Sequence, residues 1–194
     1  MSGSTDHGPT PMEASVQSLQ AILFSESQDE TQTNTYAVLD GAAIPDLLDQ
    51  LYGDEPPEFV CLYSGDLEPD MAECAPYLVE LKPETAFTTW LLSESRGKHW
   101  GIFALSSADL KAMRKQCRAF LKVKDERGES LYFRYYDPRV LRSFLPIAEP
   151  QQLQIIFGPV QAYFVQSEEP GGVKQFSLEQ GELREVSALQ ARVP

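Results

Sequence analysis

FRYYDPRVL, residues 133–141, joins two kinds of local pattern within one short stretch. Leading into it, Leu131, Phe133 and Tyr135 alternate with Tyr132, Arg134 and Tyr136, the period-2 spacing of an aromatic-rich strand. The pattern then changes. Asp137 can accept from the free amides of a first helical turn, and Pro138 suits the first helical position because it has no N–H to leave unpaired. Val140, Leu141, Phe144 and Leu145 share one face of a short helix that must stop near Pro146, which leaves Arg139 and Arg142 on its surface. The segment predicts a strand, a sharp corner and an amphipathic helix. A cap is the common role for an aspartate at such a corner.

Working upstream, DERG (125–128) marks the turn of a hairpin over 122–136. Before it, a helix over about 107–121 is capped by Ser106 or Ser107. Leu110, Met113, Cys117, Phe120 and Leu121 form its apolar stripe; Lys111, Arg114, Lys115, Arg118 and Lys122 form a basic one. Like charges at this spacing cost a few tenths of a kcal/mol per pair, so an acidic partner is plausible but not demanded. HWGIFALSS (99–107), apolar on both sides, predicts a strand inside a sheet covered on both faces. YAVLDGA (36–42) ends a strand at Asp40-Gly41, Ile44–Tyr52 makes a short helix, and FVCLYSG (59–65) and YLVEL (77–81) are further strands. A helix of about ten residues holds Thr85, Phe87, Trp90 and Leu91. Strand, helix and strand on short loops predict a βαβ-like unit, hence a mixed α+β fold whose sheet is partly parallel and flanked by short helices. Near the start, Thr10, Pro11 and Glu13 open a helix with Met12, Val16, Leu19, Ile22 and Leu23 inward, and 25–35 is a polar loop. Downstream, LQIIFGPV (153–160) reads as a strand bent at Gly158-Pro159. AYFVQ (162–166) and VKQFSL (173–178) form a C-terminal β-hairpin, and 182–190 a weak last helix.

At 194 residues the chain fits a disordered leader (1–9) and one domain (10–194), with a possible division into two lobes near 82–98. No apolar run nears the roughly 20 residues of a membrane span, and MSGSTDHGPTP is not a secretory signal, so a cytoplasmic protein without membrane insertion is expected. Three cysteines without CxxC spacing and two histidines give no support to a disulfide framework, a metal or another cofactor. The net charge of −13 is unevenly spread: residues 1–81 hold sixteen acids and no lysine or arginine, whereas 96–142 hold twelve of the sixteen bases. The overall acidity speaks against a nucleic-acid binder, and the basic segment faces the acidic one, is merely solvated, or docks an acidic partner.

No phosphate-binding loop, dinucleotide fingerprint, nucleophile elbow or HExxH helix occurs. Asp40 and Asp137, both at strand ends, leave open a small carboxylate-dependent enzyme, although each has a simpler role as a turn or cap residue. Catalysis is not supported, and a plain structural subunit is a third reading.

Taken in order, YAVLDGA, YLVEL, a helix bearing WLL (90–92), HWGIFALSS, the basic helix, FRYYDPRVLRSFLP and FGPV resemble the adaptor/chaperone domain of bacterial type VI secretion systems, the Tap or TEC adaptors. The likeness runs from about 36 to 160. It marks Asp40, Gly41, Tyr136, Asp137, Pro138, Arg139, Gly158 and Pro159 as motif positions with structural roles. It implies a non-enzymatic cytoplasmic adaptor that holds a cognate secreted effector and promotes its loading onto the VgrG spike. No binding residues transfer with the resemblance. From charge alone the expected contact surface is Lys111, Arg114, Lys115 and Arg118, extended by Arg139 and Arg142.

Overall fold

The computed structural model describes residues 11–25, 33–124, 127–169 and 171–189, with side chains within the span 16–188. The expected leader and its Thr10 cap lie outside these residues, as do most of the 25–35 loop and part of the 125–128 turn, and the side chains of Pro11 and Glu13 lie outside that span. The elements run α1 (Pro11–Leu23), β1 (Asn34–Asp40), α2 (Leu47–Leu51), β2 (Phe59–Cys61), α3 (Pro69–Glu73), β3 (Pro76–Leu81), α4 (Ala86–Glu94), β4 (Gly101–Ser106), α5 (Leu110–Ala119), β5 (Lys122–Lys124), β6 (Ser130–Tyr132), α6 (Pro138–Phe144), α7 (Pro150–Phe157), β7 (Val160–Gln166), β8 (Val173–Glu179) and β9 (Glu182–Leu189).

Seven strands form one sheet in the order β2-β3-β1-β4-β7-β8-β9, and β5 and β6 form a separate ribbon. Every pairing is antiparallel, which corrects the expected partly parallel sheet. The βαβ reading had its direction right: β1 and β2 both run antiparallel to β3, and so parallel to each other. They are not neighbours, because β3 occupies the place between them.

Apolar side chains alternate to the two faces. Tyr36, Val38, Leu78, Ile102 and Ala104 meet α5, α6 and α7 on one face. Ala37, Leu39, Val79 and Phe103 meet α1, α2 and α4 on the other. This agrees with the two-sided covering read from HWGIFALSS.

Tyrosine hydroxyls tie this arrangement at the helix ends. Tyr135 donates to Cys117 O (3.0 Å) in the last turn of α5, and Tyr163 donates to Ile156 O (2.8 Å) in the last turn of α7. Tyr36 on β1 donates to Ala108 O (2.7 Å) just before α5. Carbonyls of a final helical turn have no partner within their own helix, so a buried hydroxyl satisfies them without water.

Three expected elements differ. Residues 153–157 belong to α7: Glu149 and Gln152 cap each other's backbone, and Leu153, Ile156 and Phe157 have helical spacing. Gly158, at φ 47, ends that helix, and the strand begins only at Val160. A short apolar run cannot by itself distinguish a buried strand from a buried helix. Residues 182–189 are strand β9, so the terminal hairpin is a three-stranded meander. The strand expected over 131–136 stops at Tyr132; Tyr135 and Tyr136 are both buried and turn the chain into α6. The cap of α5 is Asp109, which accepts from Ala112 N at 2.7 Å, while Ser106 accepts from Ala108 N and donates to Pro159 O.

Candidate functional site

The C-terminal end of β1 and the corner before α6 meet. Asp40, almost wholly buried, accepts from Ala42 N (3.2 Å) through Oδ1, turning the chain into a 3-10 segment. Its Oδ2 is paired with the Arg134 guanidinium. Asp137 accepts from Arg139 N (2.9 Å) and Nε (3.0 Å) through Oδ1 and from Nη2 (2.6 Å) through Oδ2. The expected cap is therefore present and is reinforced by a two-pronged ion pair. Burial opposes ionisation of Asp137, but the bonds from Arg139 outweigh it and hold the carboxyl below its usual range. Burial also raises the Tyr63 and Tyr136 phenols, and the nearby charge of Asp40 raises both further. Each expected carboxylate is thus engaged by its own arginine. Gly41 is required here: a Cβ would fall on backbone oxygen, 2.5 Å from Ala75 O.

Arg134 and Tyr63 were not singled out from the sequence. Arg134 sat in an alternation that read as strand, and only the fold brings it 94 residues back to Asp40. Nothing in the local pattern around Tyr63 foretells that it lies near Asp40.

The basic helix is as expected on its inner side: Met113, Cys117, Phe120 and Leu121 are buried. Lys111 and Lys115 are exposed, and Arg114 and Arg118 half-buried. Among the described residues none of these four has an ion-pair partner, and Arg114 Nε is buried without a hydrogen bond. Arg139 and Arg142 do not join this group. Arg139 holds Asp137, and Arg142 donates to Gln166 O (2.6 Å) on β7 and lies 3.7 Å from Glu168.

A cleft of about 330 Å³ opens between α1, the end of α4 and the β7–β8 turn, floored by Leu92, Phe103 and Val173 and edged by Arg96 and His99. His99 stands at φ 54 with its Nδ1 buried and without a hydrogen bond among the described residues. Among the described residues no cluster of three or more His, Cys, Asp or Glu is arranged to hold a metal ion, and no helix is long and apolar enough to cross a membrane.

Fold and site together define an α+β domain in which an antiparallel sheet lies between two helical layers and carries a basic helix on one face. Residues 35–154, well over half of the chain, match the family model described as a domain of unknown function, DUF4123, and the chain belongs to that family. No curated protein matches the chain, and no solved structure does.

Proposed function

We propose that this protein is a cytoplasmic adaptor that binds a cognate type VI secretion effector and promotes its loading onto the VgrG spike. The observation that carries the reading is α5, which presents Lys111, Arg114, Lys115 and Arg118 without acidic partners among the described residues on a chain of net charge −13. A cationic stripe left unneutralised on an acidic protein favours an acidic partner and speeds encounter with it. The resemblance of FRYYDPRVL and HWGIFALSS to type VI adaptors supplies the biological setting, and both segments lie within the stretch that matches the family. The engagement of Asp40 by Arg134 and of Asp137 by Arg139 supports a structural role for both carboxylates.

The test is co-purification of the tagged protein with the effector encoded beside it and with VgrG, together with secretion from a strain lacking the protein. Loss of that effector from the medium, with other secretion intact, is expected. Normal secretion by the deletion strain would overturn the reading.

A further inference from the structure

Among the described residues the sheet ends at β2, whose one partner is β3. Leu62 donates to Pro76 O (2.9 Å) and Glu58 O accepts from Glu80 N (2.8 Å), so residues 58, 60 and 62 direct their backbone groups at β3. In an antiparallel ladder the intervening residues then direct theirs the other way. The N–H and C=O of both Phe59 and Cys61 therefore face outward along an open edge, with no strand beyond it among the described residues.

The two sides of that edge differ. Val60 packs on the α5 side of the sheet, and Phe59 and Cys61 on the opposite side. Gln116 of α5 donates to Ile155 O (2.6 Å) and Ile156 O (3.0 Å) of α7, which fixes the flank that faces the β7 end of the sheet. Arg114 and Arg118, each about 200° around the helix from Gln116, lie on the other flank, toward β2. Burial raises the Cys61 thiol; hydrogen bonding by the Tyr63 backbone and Tyr77 pulls it partly back, and the charges of Arg114 and Arg118 add to that. On the opposite side, Tyr52 is largely exposed and its ring meets Phe59 edge-on at 5.1 Å.

We propose that the open edge of β2 receives an extended segment of a partner protein that alternates acidic and apolar residues. Its backbone pairs with Phe59 and Cys61, its carboxylates meet Arg114 and Arg118, and its apolar side chains cover Phe59 and Tyr52. Strand addition of this kind draws affinity from the main chain and specificity from alternate side chains. Glu58 shares the α5 side and lies 3.9 Å from Lys82, so the incoming carboxylates belong opposite Val60 and Leu62. A carboxylate there also offers an acceptor to Arg114 Nε, which is buried and has no hydrogen bond among the described residues. For the partner's identity, though not for the edge itself, the proposal rests on the adaptor reading.

The probe is a synthetic peptide, Glu-Val-Glu-Val-Glu-Val-Glu, with its lysine-for-glutamate counterpart as control, added to the full chain while amide exchange is followed by NMR. The acidic peptide is expected to protect the Phe59 and Cys61 amides, the basic peptide to leave them unprotected, and Arg118→Glu to weaken the acidic peptide by about tenfold. Cys61→Pro removes an outward N–H without touching the ladder to β3, and is expected to abolish binding at an unchanged melting temperature. No protection at saturating acidic peptide, or equal protection by both peptides, overturns the proposal. An effector that still co-purifies with the Cys61→Pro protein also overturns it while leaving the adaptor reading intact. A peptide that docks on a protein from which the effector never co-purifies upholds the edge and removes the adaptor reading.

Discussion

Replacing Tyr135 by phenylalanine deletes one oxygen from the best-buried part of the FRYYDP corner and tests what that corner is for. The ring is fully buried against Phe120, with centroids 4.3 Å apart, and would stay in place. What disappears is the bond to Cys117 O, a carbonyl of the last turn of α5. Removing one net hydrogen bond costs about 1 kcal/mol; a carbonyl left dry and unpaired raises this toward about 3 kcal/mol. Cys117 is itself buried, so the upper part of that range is expected. Urea unfolding followed by the fluorescence of Trp90 and Trp100 measures the loss as a lower midpoint at unchanged slope. In a domain of this size each kcal/mol lowers Tm by about 2–4 °C. An unchanged midpoint would mean that the carbonyl finds another donor and that Tyr135 does not anchor α5, and the account of the corner as a tie between helices would fall.

Asp137→Ala should cost about 1 kcal/mol for the lost cap, measured by the same titration, with Asp137→Asn milder because its oxygen still accepts from Arg139 N. Because the Asp137 carboxyl titrates lower folded than unfolded, its contribution is present above the usual carboxylate range and is lost as pH falls through the folded value; the wild-type advantage over Asp137→Asn should shrink in acid, and a constant difference would refute this. At the other extreme, burial raises the Tyr36 and Tyr77 phenols to about 12, so the folded state keeps protons that the unfolded state releases near pH 10, and stability should decline as pH rises from about 10 toward 12. Cys74 is exposed, whereas burial holds the Cys117 thiol up at about 12, so a thiol reagent on the native protein should label Cys74 well before Cys117, as read by peptide mass.

The helices with a strong period and a cap were legible from sequence. α6 needed only its own stripe and Asp137 before it, and α5 only its stripe, since its cap is Asp109 and not the expected Ser106 or Ser107. β1, β3 and β4 were legible as strands because their apolar residues face both layers, but their neighbours were not. Whether β1 and β2 touch depends on β3 entering between them, a long-range choice that no local pattern carries. The same limit applies at the site. Asp137 and Arg139 are two residues apart and their cap could be read, whereas the pairing of Asp40 with Arg134 exists only once β1 and the corner before α6 have met. Residues 153–157 were misread because Leu153, Ile156 and Phe157 suit a buried helix as well as a buried strand, and the deciding cap at Glu149 and Gln152 lay upstream of the apolar run.

The separation of β4 from β7 bears on how the chain is made. On a ribosome β4 emerges with β1 on one side and nothing on the other, and its partner, Val160–Gln166, follows only after all of 107–159 has been synthesised. An apolar strand held open for that interval is a template for the wrong neighbour. The intervening α5, α6 and α7 cover one face during the wait but not the edge itself. Chains stalled before Val160 should therefore aggregate or recruit chaperones, and chains in which Glu179 is followed by a linker long enough to clear the ribosomal tunnel, with β7 and β8 both available, should not. A ribosome-stalled series scored by sedimentation separates the two, and equal solubility across it would show that the open edge of β4 is harmless.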